Sequence, residues 1–261
     1  MTEKGVPIRA ITRGLSVLQA INRSGAITMM EIARSSGVPY PTACRIVQTL
    51  LYEGLIEREP ARKRYRSTAL VQTLASGFHD DSELVAVSRP HIEKLCKQLL
   101  WPISITSRVG SHMMVRDSTH TMTTLTLNNY YPGFTLPLME CSSGKAYMAF
   151  CSDDEREQLM EGLRTIDGAA EKMATLLLSN DTLLKEIRRA GYATQARNAY
   201  TANPGKTSSI AVPLFRNGEV VGAVVLIFFA VAMSMDKALE QFVGPLMQTA
   251  QAISTDLTGN P

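Results

Sequence analysis

The sequence predicts an α+β protein in which an N-terminal winged helix-turn-helix is joined by a linker helix to a larger α+β domain. Three observations carry that expectation. Within residues 10–67, three stretches of helical apolar spacing, two of them joined by a tight glycine turn, run into two short strand-like segments. The rest of the chain opens and closes on long helical patterns, with strand-like segments between them. Charge divides at the same place. Residues 9–67 hold ten of the 27 Lys and Arg against four of the 24 Asp and Glu, net +6, leaving −3 for the remainder of a chain of net +3. A basic head on a mildly acidic body suits a head that meets a polyanion.

The first helix is read from Ile11, Leu15, Leu18 and Ile21, spaced to share one inward face, and Ser24-Gly25 ends it. Thr28 opens a second helix, with Glu31 as its capping-box partner, Ile32 and Ala33 inward and Ser35-Ser36-Gly37 as the stop. A third follows Val38, with Pro39 and Pro41 tolerated at its start, and runs through Ile46, Val47, Leu50 and Leu51 to Gly54. Residues 55–58 and 64–67 read as a hairpin turned at residues 59–63, a wing placed directly after a helix-turn-helix. The expected boundaries are 1–67 for the head and 68–81 for a linker helix marked by Leu70, Val71, Leu74 and Phe78. The second domain is expected over 82–261.

That domain should open with a helix over 82–100 that buries Leu84, Val87, Ile92, Leu95 and Leu99 and stops at Trp101-Pro102. Strands are expected at 103–109, 113–117 and 123–128, and helices from Cys141 or Ser142 to Phe150, over 153–163 and over 183–190. Gln195-Ala196-Arg197-Asn198 reads as a polar loop. Residues 209–215 and 220–229 make a hairpin around Asn217-Gly218, and 236–255 a closing helix.

Several function classes lose support. Cys44, Cys96, Cys141 and Cys151 are far apart and form no C-x-x-C pair, so neither a disulfide framework nor a zinc site is expected. No signal peptide is visible at Met1–Arg9, and the apolar run at 220–233 is shorter than the roughly 20 residues of a membrane span. A soluble, cytoplasmic protein with no membrane partner is the expectation. No G-x-S-x-G, H-E-x-x-H, Walker or Rossmann pattern is present, and His112 and His120 lack neighbouring ligands. No enzyme activity, cofactor or metal is therefore expected. A thiol-based redox-sensing DNA-binding repressor using Cys141 and Cys151 is the alternative from another class.

In a helix-turn-helix the exposed start of the second helix enters the major groove, where each base pair shows a distinct pattern. Here those positions are Tyr40, Thr42, Arg45 and Gln48, with Thr49 at the rim. Arg45 suits a base edge or a phosphate, Thr42 a phosphate or a thymine methyl, and Tyr40 the backbone. The plain alternative is a solvent-facing polar stripe. The wing carries Arg58, Arg62, Lys63, Arg64 and Arg66 against a single Glu59. So dense a set of like charges calls for counterions, which makes Arg62, Lys63 and Arg64 candidates for a phosphate clamp on double-stranded operator DNA.

The same residues resemble a family. The run Ile11-Thr12-Arg13-Gly14-Leu15-Ser16-Val17-Leu18, then Glu31-Ile32-Ala33, Thr42 with Arg45, and Glu53-Gly54-Leu55-Ile56 is similar to the head of IclR-type regulators. In the body, Leu136-Pro137-Leu138, Ser143-Gly144-Lys145-Ala146, Ser209-Ile210-Ala211-Val212-Pro213 and Gly222-Ala223 are similar to that family's second domain. The resemblance covers nearly the whole chain. It implies a GAF-like effector-binding domain, homodimers joined largely through the heads, often homotetramers, and a response to small carboxylic acids. Trp101-Pro102 and Met148-Ala149-Phe150-Cys151 are closest to members controlling aromatic-acid breakdown, which implies an activator that also engages RNA polymerase.

Effector candidates follow. Ser142 and Ser143 stand at a helix start, where unpaired amides and the positive dipole end favour a carboxylate, although Ser142 as a plain N-cap is the competing explanation. Arg197 would suit a carboxylate bidentately, against simple surface exposure. Ser208 and Ser209 precede a strand whose counterpart in the family reaches the pocket, and Met139, Val225 and Ile227 offer an apolar wall or ordinary core. Where many members carry small or polar side chains on the last strand, this chain has Val225 and Ile227. The expected effector is a small aromatic carboxylate, such as a hydroxylated benzoate or phenylpropanoate.

Overall fold

The computed structural model describes residues 8–60, 62–75, 82–125, 130–164, 181–199 and 204–259. The chain divides into two compact units, Met1–Asp80 and Asp81–Pro261.

In the first unit, α1 (Arg9–Ser24) buries Val17, Leu18, Ala20 and Ile21. Only the C-terminal half of its apolar stripe meets the core: Ile11 is 58% and Leu15 55% exposed, a correction to the inward face expected of them. α2 (Met29–Ser36) starts on a capping box in which Thr28 N–H donates to Glu31 Oε2 at 2.8 Å and Glu31 N–H to Thr28 Oγ1 at 3.4 Å. Gly37, at φ 65°, ends it in the left-handed region that glycine adopts without strain. α3 (Tyr40–Tyr52) begins after Pro39, with Pro41 in its first turn, where a missing N–H costs nothing. A short strand β1 (Ile27–Thr28), absent from the sequence expectation, pairs with β3 (Arg64–Ser67), which also pairs with β2 (Ile56–Arg58). The core unites Val17, Ile21, Ile32, Ala43, Val47 and Ile56. Beyond the wing, Ala69–Ala75 is a 3-10 segment with Leu74 exposed, rather than a turn of α-helix, and Phe78 lies outside the described residues.

The second unit is built on a six-stranded antiparallel sheet of β4 (Ile103–Val109), β5 (His112–Ser118), β6 (Thr135–Pro137), β7 (Ala193–Gln195), β8 (Thr207–Arg216) and β9 (Glu219–Phe229). Its order is β6-β5-β4-β9-β8-β7. The helices are α4 (Ser82–Leu99), α5 (Ser142–Phe150), α6 (Asp153–Arg164), α7 (Asp181–Ala190) and α8 (Met235–Gly259). α4 and α8 cover one face of the sheet, α5 and α7 the other. The pleat of β9 sends Val224, Leu226 and Phe228 into a core with Trp101, Ile105 and Leu246, and Val225 and Ile227 into a second core with Met139 and Met148. Burial on both faces explains why this strand is one continuous apolar run. Among the described residues, no helix is long and apolar enough to cross a membrane.

Asn217 and Gly218, at φ 54° and 84°, make the turn that matches the twist of the β8–β9 hairpin. Two sequence expectations need correction. Residues 123–125 form no strand, and 126–128 lie outside the described residues; the strand beside β5 is β6 instead. β7 occupies part of the stretch read as a loop and pairs with β8 from Ala193 to Gln195. Both are three-residue edge strands, too short for an alternating pattern to register.

Candidate functional site

In the first unit, the geometry of α3 leaves Tyr40, Arg45, Gln48 and Thr49 exposed and Thr42 half-buried, while Ala43, Val47 and Leu50 face inward. Between α1 and α3 lies an open groove of about 650 Å³, lined by Arg13, Thr42, Arg45, Gln48, Thr49 and Tyr52 among others. Arg13, not singled out from sequence, thus shares a surface with Arg45. It is exposed and lies one turn after Ala10, which lines the same groove.

The wing's five cations are not equivalent. Arg62 and Lys63 are exposed at the turn, and Arg58 on β2 is exposed as well. Arg66 is paired with Glu57 at 2.6 Å. Arg64 turns back, its Nη1 donating to the Ala26 carbonyl at 2.8 Å, and so ties β3 to the turn before β1. That bond engages one of the guanidinium's donors in the hairpin's own frame.

In the second unit, α5 is fixed at both ends. At its N-terminus the cap is Cys141, whose Sγ accepts from Gly144 N–H at 3.3 Å, and Lys145 N–H donates to the Cys141 carbonyl at 3.1 Å. Ser142 is the first helical residue, not the cap, so the amides of Ser142 and Ser143 have no preceding helical carbonyl to bind. A Cβ on Gly144 would lie 1.7 Å from the Leu138 carbonyl oxygen; only glycine lets the helix start press this close to the preceding turn. At the other end, Arg156 donates to the Met148 and Cys151 carbonyls, each at 2.8 Å, and Arg188 to that of Ala149. Two guanidinium groups there complement the negative end of the helix dipole. Lys145 Nζ, at 2.7 Å from Gln195 Oε1, joins α5 to β7, and burial holds its pKa below the ordinary lysine value.

Between the start of α5 and the sheet is a small cavity of about 20 Å³. Ser142, Ser143, Ser209, Val225 and Ile227 line it, with Ser104, Thr106, Val115, Tyr130, Leu136, Cys141 and Asn198. Hydroxyls dominate one side, and Ser142 Oγ and Ser209 Oγ are 2.8 Å apart. Val115, Leu136, Val225 and Ile227 form the apolar remainder. Among the described residues, no charged side chain lines it. Tyr130 closes one side, its hydroxyl 2.8 Å from Thr207 Oγ1.

Three expected effector residues are not in that wall. Met139 is buried in the core beneath it. Ser208 follows the pleat to the opposite face from Ser209, where its Oγ accepts from Arg197 N–H at 3.1 Å. Arg197 is exposed; its backbone, at φ 44°, turns the side chain outward and brings Asn198 to the cavity instead. Ser104 and Thr106 went unnoticed because β4 reads as an ordinary buried strand, and only its pairing with β9 shows which face they occupy.

Cys141 is fully buried, and burial pushes its thiol pKa up, as it does for Cys151. The two bracket the nine-residue α5, which at about 1.5 Å per residue separates them well beyond the roughly 7 Å a disulfide spans.

A helix-turn-helix with a cationic wing, in one chain with a sheet domain that encloses a polar-apolar cavity, is the architecture of a winged-helix regulator. Residues 10–60 match the family model for the IclR helix-turn-helix domain, and residues 78–255 that for the bacterial transcriptional regulator IclR C-terminal domain. The DNA-binding transcriptional repressor YiaJ of Escherichia coli is 26% identical over 263 residues, 98% of this chain and 90% of YiaJ. The structure of the Thermotoga maritima IclR superposes with a TM-score of 0.65 at 19% identity, covering 95% of this chain and 98% of that one. An IclR homolog of Microbacterium hydrocarbonoxydans, complexed with 4-hydroxybenzoate, gives 0.61 at 22% identity over 95% and 98%. The chain belongs to the IclR family of bacterial regulators: it is a DNA-binding transcriptional regulator with a C-terminal effector domain.

Proposed function

We propose that a small aromatic carboxylate, held in the α5 cavity, sets the affinity of the head for operator DNA. The observation that carries this reading is the cavity's two-sidedness. Ser142 and Ser143 present hydroxyls and helix-start amides suited to a carboxylate, while Val225, Ile227 and Leu136 offer apolar surface for a ring. The 4-hydroxybenzoate complex of a structural neighbour supports the same class of ligand. A cavity of about 20 Å³ has room for little more than one water, whereas a benzene-sized guest takes roughly 150 Å³. Entry of a ring therefore requires the wall to give.

Isothermal titration of the full chain with 4-hydroxybenzoate and phenylpropanoate, against glyoxylate and pyruvate, tests the proposal. The aromatic acids should bind, and Val225→Ser should weaken them more than it weakens the short acids. Tight binding of glyoxylate or pyruvate, with none of either aromatic acid, overturns it. The raised thiol pKa of buried Cys141 weighs against the redox alternative, because the thiolate is the reactive form.

On DNA, we assign Arg45, Gln48 and Thr42 to the major groove, Tyr40 to the backbone, and Arg62 and Lys63 to phosphates. A homodimer assembled through the apolar stripe of α1 would place two heads on inverted half-sites one or two helical turns apart, and the family's tetramers would pair such dimers. Likeness to aromatic-acid regulators favours activation through RNA polymerase. The repressor names of E. coli relatives favour the opposite sign. A promoter reporter with the gene present and deleted separates the two: output falls on deletion of an activator and rises on deletion of a repressor.

A further inference from the structure

A short chain of hydrogen bonds runs from the cavity wall to α4, the first helix of the second unit. Ser104, in the cavity lining, donates from Oγ to Ser118 Oγ at 3.1 Å, a contact buried on both sides. Ser118 Oγ also accepts from His120 N–H at 3.2 Å, and Ser118 N–H donates to Asp117 Oδ1 at 2.7 Å. The bulge between Ile105 and Thr106 changes the register of β4 against β5 at this point. Ser118 stands opposite Ser104 on the cavity side, while Asp117 stands opposite Ile105, which belongs to the core beneath α4 and α8. Asp117 therefore reaches the α4 side of the sheet, where Arg89 Nη1 meets its Oδ1 at 2.8 Å. The same guanidinium grips Glu93 on the next turn of α4 through Nε at 2.6 Å.

This network is not saturated. Asp117 Oδ2 and His120 Nδ1 are buried, and among the described residues neither has a hydrogen-bond partner. A buried carboxylate with one oxygen engaged and one open has a second arrangement within reach, in which the guanidinium or the ring shifts to the free oxygen. Buried polar groups left so are costly, and the cost of rearranging is correspondingly small.

We propose that Asp117 and Arg89 are positioning residues that transmit the state of the cavity wall to α4. Ser104 is the input and Ser118 the hinge between the two faces of the sheet. The inference rests on the cavity being the effector site, but its test needs no ligand. Movement of Ser104 by an occupant changes what Ser118 asks of Asp117, and so how firmly Arg89 holds α4.

Hydrogen–deuterium exchange on the full chain, read at the amides of α4, tests this with Ser104→Ala as the perturbation. Exchange in α4 should quicken by roughly three- to tenfold, the equivalent of one net hydrogen bond. Thr106→Val is the control, since Thr106 also lines the cavity from β4 but bonds to the Ala223 carbonyl and not to Ser118. It should leave α4 unchanged. In an Arg89→Gln background, Ser104→Ala should add nothing further, which a merely structural hydroxyl would not achieve. Asp117→Asn approaches from the other end and should reproduce the effect should Ser104→Ala fold poorly. Equal acceleration by Ser104→Ala and Thr106→Val, none from either, or simple additivity with Arg89→Gln overturns the proposal.

Discussion

Ser208 and Ser209 show what single residues can and cannot tell in advance. Both were candidates, yet a strand sends neighbours to opposite faces, so only one of them can line a given cavity. Which one depends on register against β9, a property of pairing rather than of either serine. Thr28 and Glu31 lie at the other extreme: their spacing alone names the capping box, because both partners belong to one helical turn. Gly144 yields a sharp expectation. Gly144→Ala would set a methyl 1.7 Å from the Leu138 carbonyl oxygen, with backbone on both sides and no flexible side chain to yield. The second domain should lose at least about 2–3 kcal/mol, as overpacked sites do, seen as a fall in Tm by calorimetry. An unchanged Tm would mean that α5 can slide away from Leu138. Arg45 is exposed on α3 beside the groove shared with Arg13. Arg45→Ala should cost roughly 1–3 kcal/mol on the cognate operator and much less on random duplex if it reads a base edge. Equal losses on both, measured by fluorescence anisotropy, would restrict it to phosphate.

Elements with strong local signals were legible and short ones were not. α3, α5 and the β8–β9 hairpin follow from apolar spacing, glycine stops and the Asn217-Gly218 turn. β6 and β7 escaped because a three-residue edge strand has no periodicity of its own and is held by its neighbour's ladder. α1 was half legible: its spacing marked a helix, but the stripe continues past the core to exposed Ile8, Ile11 and Leu15. The wing's charge was plain from sequence, whereas its internal division was not, since Arg64 finds Ala26 across 38 positions of chain. The division is measurable. Arg62→Ala with Lys63→Ala should weaken binding to all duplexes alike and flatten the log–log salt dependence by up to about two units. Arg64→Ala should chiefly lower the head's stability, by about 1–2 kcal/mol for a lost charge-assisted bond. A salt slope unchanged in the double variant, or changed most by Arg64→Ala, would reverse that assignment.

For the molecule as a whole, fold class and the order of its parts were readable because amphipathic spacing and charge both change between the head and the body. The cavity was readable only in part, since it is assembled from β4, β5, β8, β9 and α5 at sequence separations no motif spans. The exposed stripe on α1 bears on assembly. Leu15→Glu should shift a dimer towards monomer in sedimentation velocity and lower operator affinity, with each head still folded. Unaltered assembly would place the interface elsewhere. The central claim is that one small ligand in the second domain governs what the first does to DNA. The most direct test is operator affinity of the full chain, measured on duplex upstream of its neighbouring genes with and without saturating 4-hydroxybenzoate. The account predicts a shift of about five- to 150-fold, the usual range of allosteric coupling, and its loss in Ser143→Ala with Val225→Ser. An affinity indifferent to every aromatic acid, or a shift undiminished in that double variant, would contradict it.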